Sequence, residues 1–447
     1  MRKIRLFFIV SMLLTGMFYS SCKKSSTSDT TVVTPPGVGE YVGAIVVNSK
    51  SDTTLAYFLK NNYNRITGSL ELYTSDDIDF NKFLVNLKSV NGSVKLYKIR
   101  NTDLSFLSNV TKITGDLQIS ACPGLTSLAG LSKLDTLSSN LIVENNPAIK
   151  NLTGIGALLT LTNLNVTGNA TLQSLTGLSS LTSLTGGILI GENPMLTSLT
   201  GLNIESIATN VTVYNNAQLL NLTGLNKLKN IDGNLTVYGL PSLTEIIALN
   251  ALNDTITTIS ISGCNHLTNL EGLNNLPKIK KDLRLVDCAE LANLQGLTKV
   301  DTIGGTFELD KLPAFQSFTG ATSLKGIRKD LRIAECNALI SLNGLSKLDS
   351  IKGDFILDDN MNLVNLKGID RLKVVRGKVQ VLNNENLVSL DGLEPLTTIT
   401  GDLDIYYNPK LASYCAIKST TLTGFFYNGF NQFNPTWTQI KAGTCSN

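Results

Sequence analysis

The 447-residue sequence contains a single histidine, His266. Zinc sites and most nucleophile–base pairs rely on imidazole, and no CxxC pair or Cys/His group with metal-ligand spacing is present. His266 follows Cys264 by two residues, but the repeat described below turns that thiol inward and puts the imidazole in the next turn. That arrangement does not suit a nucleophile and its base. There is no glycine-rich phosphate loop after a strand and no nucleophile elbow. Paired carboxylates could hydrolyse a glycoside without histidine, yet the acids stand singly in surface columns. The expectation is a protein with no enzymatic activity, cofactor or metal; an envelope glycan-processing enzyme is the remote alternative.

An excess of one charge is also missing. The formal +3 comes from Arg2, Lys3 and Arg5, and the chain after residue 21 holds 35 bases and 35 acids. Such a balance argues against a nucleic-acid partner, which needs concentrated positive surface. Long apolar runs are absent too. The N-terminus, "MRKIRLFFIVSMLLTGMFYSSCKK", has a short basic region, an apolar stretch too short to span a bilayer, and small residues ending at a cysteine. It resembles a bacterial lipoprotein signal of the Bacteroidetes kind, with Tyr19-Ser20-Ser21-Cys22 as a relaxed lipobox. The resemblance implies a signal peptide over 1–21 and acylation of Cys22. It also implies an outer-membrane lipoprotein of the cell envelope, on its surface or periplasmic side. Each acyl methylene would contribute about 0.8 kcal/mol to a membrane anchor, and export would place the cysteines in an oxidising compartment. Residues 22–40, rich in Ser and Thr with a Pro-Pro-Gly, read as a flexible tether.

What the sequence has in abundance is itself. "ITGDLQISACPGL" at 113–125 returns as "ITGDLDIYYNPKL" at 399–411, 286 positions later. Aligned on the glycine of a recurring "GL" or "GI", the chain steps by 23 or 24 residues from Gly130 to Gly392, with Ala248 holding the frame across one double step. Such self-similarity signals a solenoid. In the turn 351–375, Phe355 and Leu357 alternate with Ile356, the period of a strand buried on one face. Leu363, Leu366, Ile369, Leu372 and Val375 then recur every three residues, which suits tight turns or 3₁₀ segments. The predicted fold is all-β with short helical or 3₁₀ turns: a right-handed parallel β-solenoid of about fifteen coils of 23–24 residues.

Eight residues before each frame position runs a column of Cys122, Asn146, Asn169, Asn193, Asn216, Leu240, Cys264, Cys288, Leu312, Cys336, Asn360, Asn384 and Asn408. An inward Asn just after the strand can donate to carbonyls that would otherwise be buried unpaired. A thiol does so weakly while packing like a small hydrophobe. These residues are expected to form a structural ladder.

A strand "LxL" followed two residues later by Asn or Cys resembles the leucine-rich repeat. "DLSFLSNVTKITGDLQI" (103–119) resembles more closely the receptor L domain, a ligand-binding β-solenoid, and "NPKLASYC" with a later Trp437 is similar to the way such a domain closes. The resemblance, over roughly 41–447, implies architecture but carries no ligand with it. The expected organisation is an N-terminal cap at 41–63, with Ser51 or Asp52 capping a short helix, solenoid repeats at 64–411, and a C-terminal cap at 412–447. Cys415 and Cys445 bracket that last cap and are the expected disulfide. The ladder cysteines read as buried thiols, although a bridge between Cys264 and Cys288 on consecutive coils is conceivable.

The strand residue between the two buried ones should face solvent. In that column Arg284, Glu308 and Arg332 alternate in sign, either as a surface ion-pair ladder or as the polar centre of a binding face. One column further stand Tyr73 with Tyr97, Tyr214 with Tyr238, and Tyr406, which could anchor a protein or stack on a sugar, or equally serve as cross-strand pairs that stabilise the sheet. Asp135-Thr136-Leu137, Asp254-Thr255-Ile256, Asp301-Thr302-Ile303 and Asp349-Ser350-Ile351 resemble the Bacteroidetes O-glycosylation sequence, or are equally a product of the repeat consensus. The sequence therefore points to a lipid-anchored protein binding a protein or glycan along its sheet, or alternatively to a spacer or adhesin stalk.

Overall fold

The computed structural model describes residues 39–155 and 158–447. Cys22, the signal segment and nearly all of the tether lie outside the described residues. The apolar alternation read from the sequence becomes one long sheet of seventeen parallel strands. It runs from Ile45–Val47 and Leu70–Tyr73 to Leu403–Tyr406 and Phe426–Gly429. The sheet is open, because Ile45–Val47 pairs only with Leu70–Tyr73 and Phe426–Gly429 only with Leu403–Tyr406. Register is exact from coil to coil: Leu117 pairs with Leu141, which pairs with Leu164. Sixteen turns join these strands, close to the fifteen expected.

A second, narrower ribbon stands beside the long sheet as two-residue strands. Lys112–Ile113 pairs with Thr136–Leu137, and from Thr302–Ile303 to Thr421–Leu422 six such strands pair in order. Between the two sheets the chain turns on leucines. In one coil Leu125, Leu128, Leu131 and Leu134 are all fully buried. The N–H of Leu131 donates to the carbonyl of Leu128 at 3.2 Å and that of Leu134 to Leu131 at 3.0 Å. These i to i+3 bonds explain the three-residue spacing. Each such leucine contributes about 2 kcal/mol of burial, and the same slot recurs in every coil.

The frame glycines have a steric cause. Gly130 has φ +107°, and a Cβ there would land on the carbonyl of Leu104 in the preceding coil. Three frame positions hold larger residues, Phe106, Ala248 and Ala416. There the chain forms 3₁₀ helices instead, Ser105–Leu107, Ile247–Leu249 and Cys415–Ile417. A side chain that resists positive φ is accommodated by changing the turn.

The long sheet begins inside 41–63 and runs one coil into 412–447, so the last coil keeps the repeat's backbone while losing its leucines. Helix Thr54–Lys60 follows Thr53, whose side chain makes no capping bond. Ser51 and Asp52 are therefore not the cap. Asp52 instead accepts the N–H of Thr54 through Oδ1 at 2.8 Å, because it lies one residue further out. At the far end helix Trp437–Ala442 carries a capping box of Thr436 and Gln439 and stops at Gly443. Trp437 packs on Phe426 with ring centroids 5.5 Å apart. Cys415 and Cys445 form a disulfide, S–S 2.05 Å.

Candidate functional site

Two hydrogen-bond ladders flank the strands of the long sheet. In the inner one, the N–H of Cys122 donates to Oδ1 of Asn146, that of Asn146 to Asn169, that of Asn169 to Asn193 and that of Asn193 to Asn216, each at 3.0 Å. Each Nδ2 donates to a strand carbonyl one coil back, as Asn169 does to Val143 at 3.0 Å. The series stops at Leu240 and resumes from Cys336 through Asn360, Asn384 and Asn408 to Asn431. Asparagine thus accepts as well as donates, which explains why it prevails in the column. The residue just before each ladder position has positive φ, from Lys98 to Phe430. The backbone swivels there and turns the next side chain inward.

The thiols of Cys122, Cys264, Cys288 and Cys336 are free and buried. Each points at the carbonyl two residues earlier, 3.4 to 3.6 Å away. Burial pushes Cys122 up to about 11 and Cys336 up to about 12. A hydrogen bond with Cys288, followed by burial, holds Cys264 well above the ordinary thiol range. His266 is exposed and faces Glu290 at 3.0 Å through Nδ1, while Cys264 is buried.

The second ladder escaped the sequence reading. At many strand starts a Ser, Asp or Asn side chain accepts the backbone N–H of the next coil: Asp116 from Asn140, Asn163 from Gly187, Asp330 from Asp354, Asp402 from Phe425. Only the recurrence of small polar residues just before "LxL" marked it.

On the outer surface Arg284, Glu308 and Arg332 belong to a five-residue network. Glu308 lies 3.8 Å from Arg284 and 3.6 Å from Arg332. Asp282 flanks Arg284 at 3.1 Å and Asp310 flanks Arg332 at 3.2 Å. The arginines are matched by acids within the sheet, and exposed pairs of this kind each contribute about 0 to 1 kcal/mol.

Tyr214 and Tyr238 stack with centroids 5.1 Å apart and planes 17° apart. Their strands pair directly at these residues. Gly191, on the preceding coil, provides the floor: a Cβ there would strike the Tyr214 ring. Burial, then the neighbouring Glu192 carboxylate and Tyr238, pushes the Tyr214 hydroxyl up to about 12. Tyr238 leaves 37% of its surface in solvent.

Tyr73 and Tyr97 meet edge to face at 6.3 Å. They line an open cleft of about 630 Å³ with Asn48, Thr74, Asp76 and Lys98. Lys98 Nζ sits 4.9 Å over the Tyr97 ring. At the opposite end, Tyr407 and Phe430 stack at 4.7 Å with planes 5° apart, and both are mostly exposed. The sequence reading missed this pair because it lies in the positive-φ column after the strand. Thr136, Thr255, Thr302 and Ser350, of the four Asp-Thr/Ser triplets, are half-buried on the ribbon side. Among the described residues no group of three or more His, Cys, Asp or Glu side chains is placed to hold a metal, and no helix is long and apolar enough to cross a membrane.

Residues 88–203, about a quarter of the chain, match the family model of the receptor L domain. No curated protein matches closely enough to count as a relative. The β-solenoid and the matched segment are consistent with a ligand-binding or structural role, and the receptor L domain family is itself generally not enzymatic.

Proposed function

We propose that this is a non-catalytic, lipid-anchored cell-envelope protein that binds a protein or glycan along its strand face, with acylated Cys22 as the anchor and the outer membrane as its location. The observation that carries the reading is the Tyr214–Tyr238 stack over Gly191, a flat, partly exposed pair of rings held by adjacent strands. Rings fixed in this way lose little side-chain entropy on contact, which suits an anchor for a partner. The cleft at Tyr73 and Tyr97 extends the same column of aromatics.

The test is binding of the full chain to protein and glycan arrays. Wild type should bind at least one ligand that Tyr214→Ala/Tyr238→Ala loses by about tenfold or more, with the urea midpoint nearly unchanged. Undiminished binding by the variant would move the site off this face. A second reading, a spacer or adhesin stalk, is favoured by the unbroken register of sixteen turns, about 77 Å at the usual strand spacing. It predicts no ligand on either array. Protease accessibility on whole cells would distinguish surface from periplasmic placement.

A further inference from the structure

The balance of 35 bases and 35 acids after residue 21 conceals a one-sided distribution. Over six coils the ribbon flank, residues 274–281, 298–305, 322–329, 346–353, 370–377 and 394–401, holds twelve Lys and Arg against only Asp301, Asp349, Asp370 and Glu394. The equivalent segments of the six preceding coils hold three bases, Lys133, Lys227 and Lys229, and four acids.

Within the basic flank one column is aligned by the backbone. The N–H of Lys280 donates to Ile256, that of Arg328 to Ile303, that of Lys352 to Ile327 and that of Arg376 to Ile351, at 2.8 to 3.0 Å. Ile327, Ile351 and Val375 pair in register immediately before the last three. Arg328, Lys352 and Arg376 therefore stand on consecutive coils, roughly 4.8 Å apart. All four side chains are exposed, and among the described residues none makes an ion pair. Like charges stacked across neighbouring strands destabilise a sheet, so this row carries a repulsion that a bound polyanion would relieve.

We propose that the row Lys280, Arg328, Lys352 and Arg376 is a track for a linear acidic glycan, one carrying a carboxylate or sulfate on each sugar ring. Charges on such a chain recur once per ring, a repeat close to the strand spacing, so one chain laid across the strands meets successive cations. A second copy of this protein is a poorer occupant. Four acids of its strand face in these coils are already engaged, Glu308 and Asp310 by arginine and Asp282 and Asp354 by backbone N–H groups. Single-stranded nucleic acid would want aromatic platforms between the cations, and the six flank segments contain no aromatic residue. The track lies on a different side of the coil from the tyrosine face, so each surface can fail its test alone.

The experiment measures binding of the full chain to polygalacturonate, with neutral dextran, poly(dT) and anionic phospholipid vesicles alongside. Arg328→Ala/Lys352→Ala/Arg376→Ala should weaken polygalacturonate binding about tenfold or more at low salt and leave the melting temperature equal or higher. Lys133→Ala/Lys227→Ala/Lys229→Ala, with the same change in net charge, should bind as wild type does. Equal binding by wild type and the first variant would overturn the track. Tighter binding to poly(dT) or vesicles than to polygalacturonate, lost in that variant, would overturn the glycan as its occupant.

Discussion

The backbone N–H of Asn384 donates to the side-chain Oδ1 of Asn408 at 3.0 Å, one coil ahead. Nδ2 of the same Asn408 donates back to Val381 at 2.9 Å, so one amide closes two buried backbone groups on the preceding coil.

Removing such an amide should therefore be expensive in the middle of a series. Asn169→Leu strands the buried N–H of Asn146 and the carbonyl of Val143. A loss of about 2 to 4 kcal/mol is expected, read from urea unfolding followed by hydrogen exchange of the flanking strands. Leu240→Asn, where the ladder is interrupted naturally, should change stability by less than about 1 kcal/mol. Equal effects for the two would mean that the column acts only through volume.

The frame glycines make a second contrast. Gly344 has φ +110°, and a Cβ would come within 2.6 Å of the Phe318 carbonyl oxygen. Gly344→Ala should lose about 3 kcal/mol or more. Ala248→Gly, in a turn that has already become 3₁₀, should lose about 1 kcal/mol. Thermal and urea midpoints of the two variants measure the difference.

The ladder thiols give a pH dependence of known sign. Folded Cys122 and Cys336 titrate near 11 and 12, above the ordinary value of 9.0. Between those values the unfolded chain releases protons that the folded chain keeps, so the stabilisation is complete below pH 9 and falls as pH rises toward 11 to 12. For Cys122 alone this amounts to about 2 kcal/mol by pH 10.5. The urea midpoint of wild type should approach that of Cys122→Ala/Cys336→Ala over this range. At pH 8 a thiol reagent should label none of Cys122, Cys264, Cys288 and Cys336 until the protein unfolds.

Much of the architecture was legible because a solenoid presents the same slots to the same neighbours, so Leu128, Gly130 and Asn146 recur wherever their geometry does. Other features were not. Asp116 and Asp330 look like surface acids in the sequence, and only the neighbouring coil shows that they accept backbone N–H groups. The basic row at Arg328, Lys352 and Arg376 vanished into the even balance of charge after residue 21, because the acids that offset it lie on other faces. Tyr407 and Phe430 were passed over because a strand's alternation gives no rule for the residue that follows it. The boundary at 412 was drawn where aromatics replace leucines, and the aromatic run hides that strand pairing continues for one more coil, to Phe426–Gly429.

The exact repeat of register also makes length an adjustable quantity. Residues 331–354 contain one full circuit, and Leu331 occupies the same slot as Phe355, so excision would bring Asp330 to Phe355 in a junction that matches every other. Gene duplication or slippage in multiples of this unit could lengthen or shorten the rod between its two stoppers without inventing a new contact.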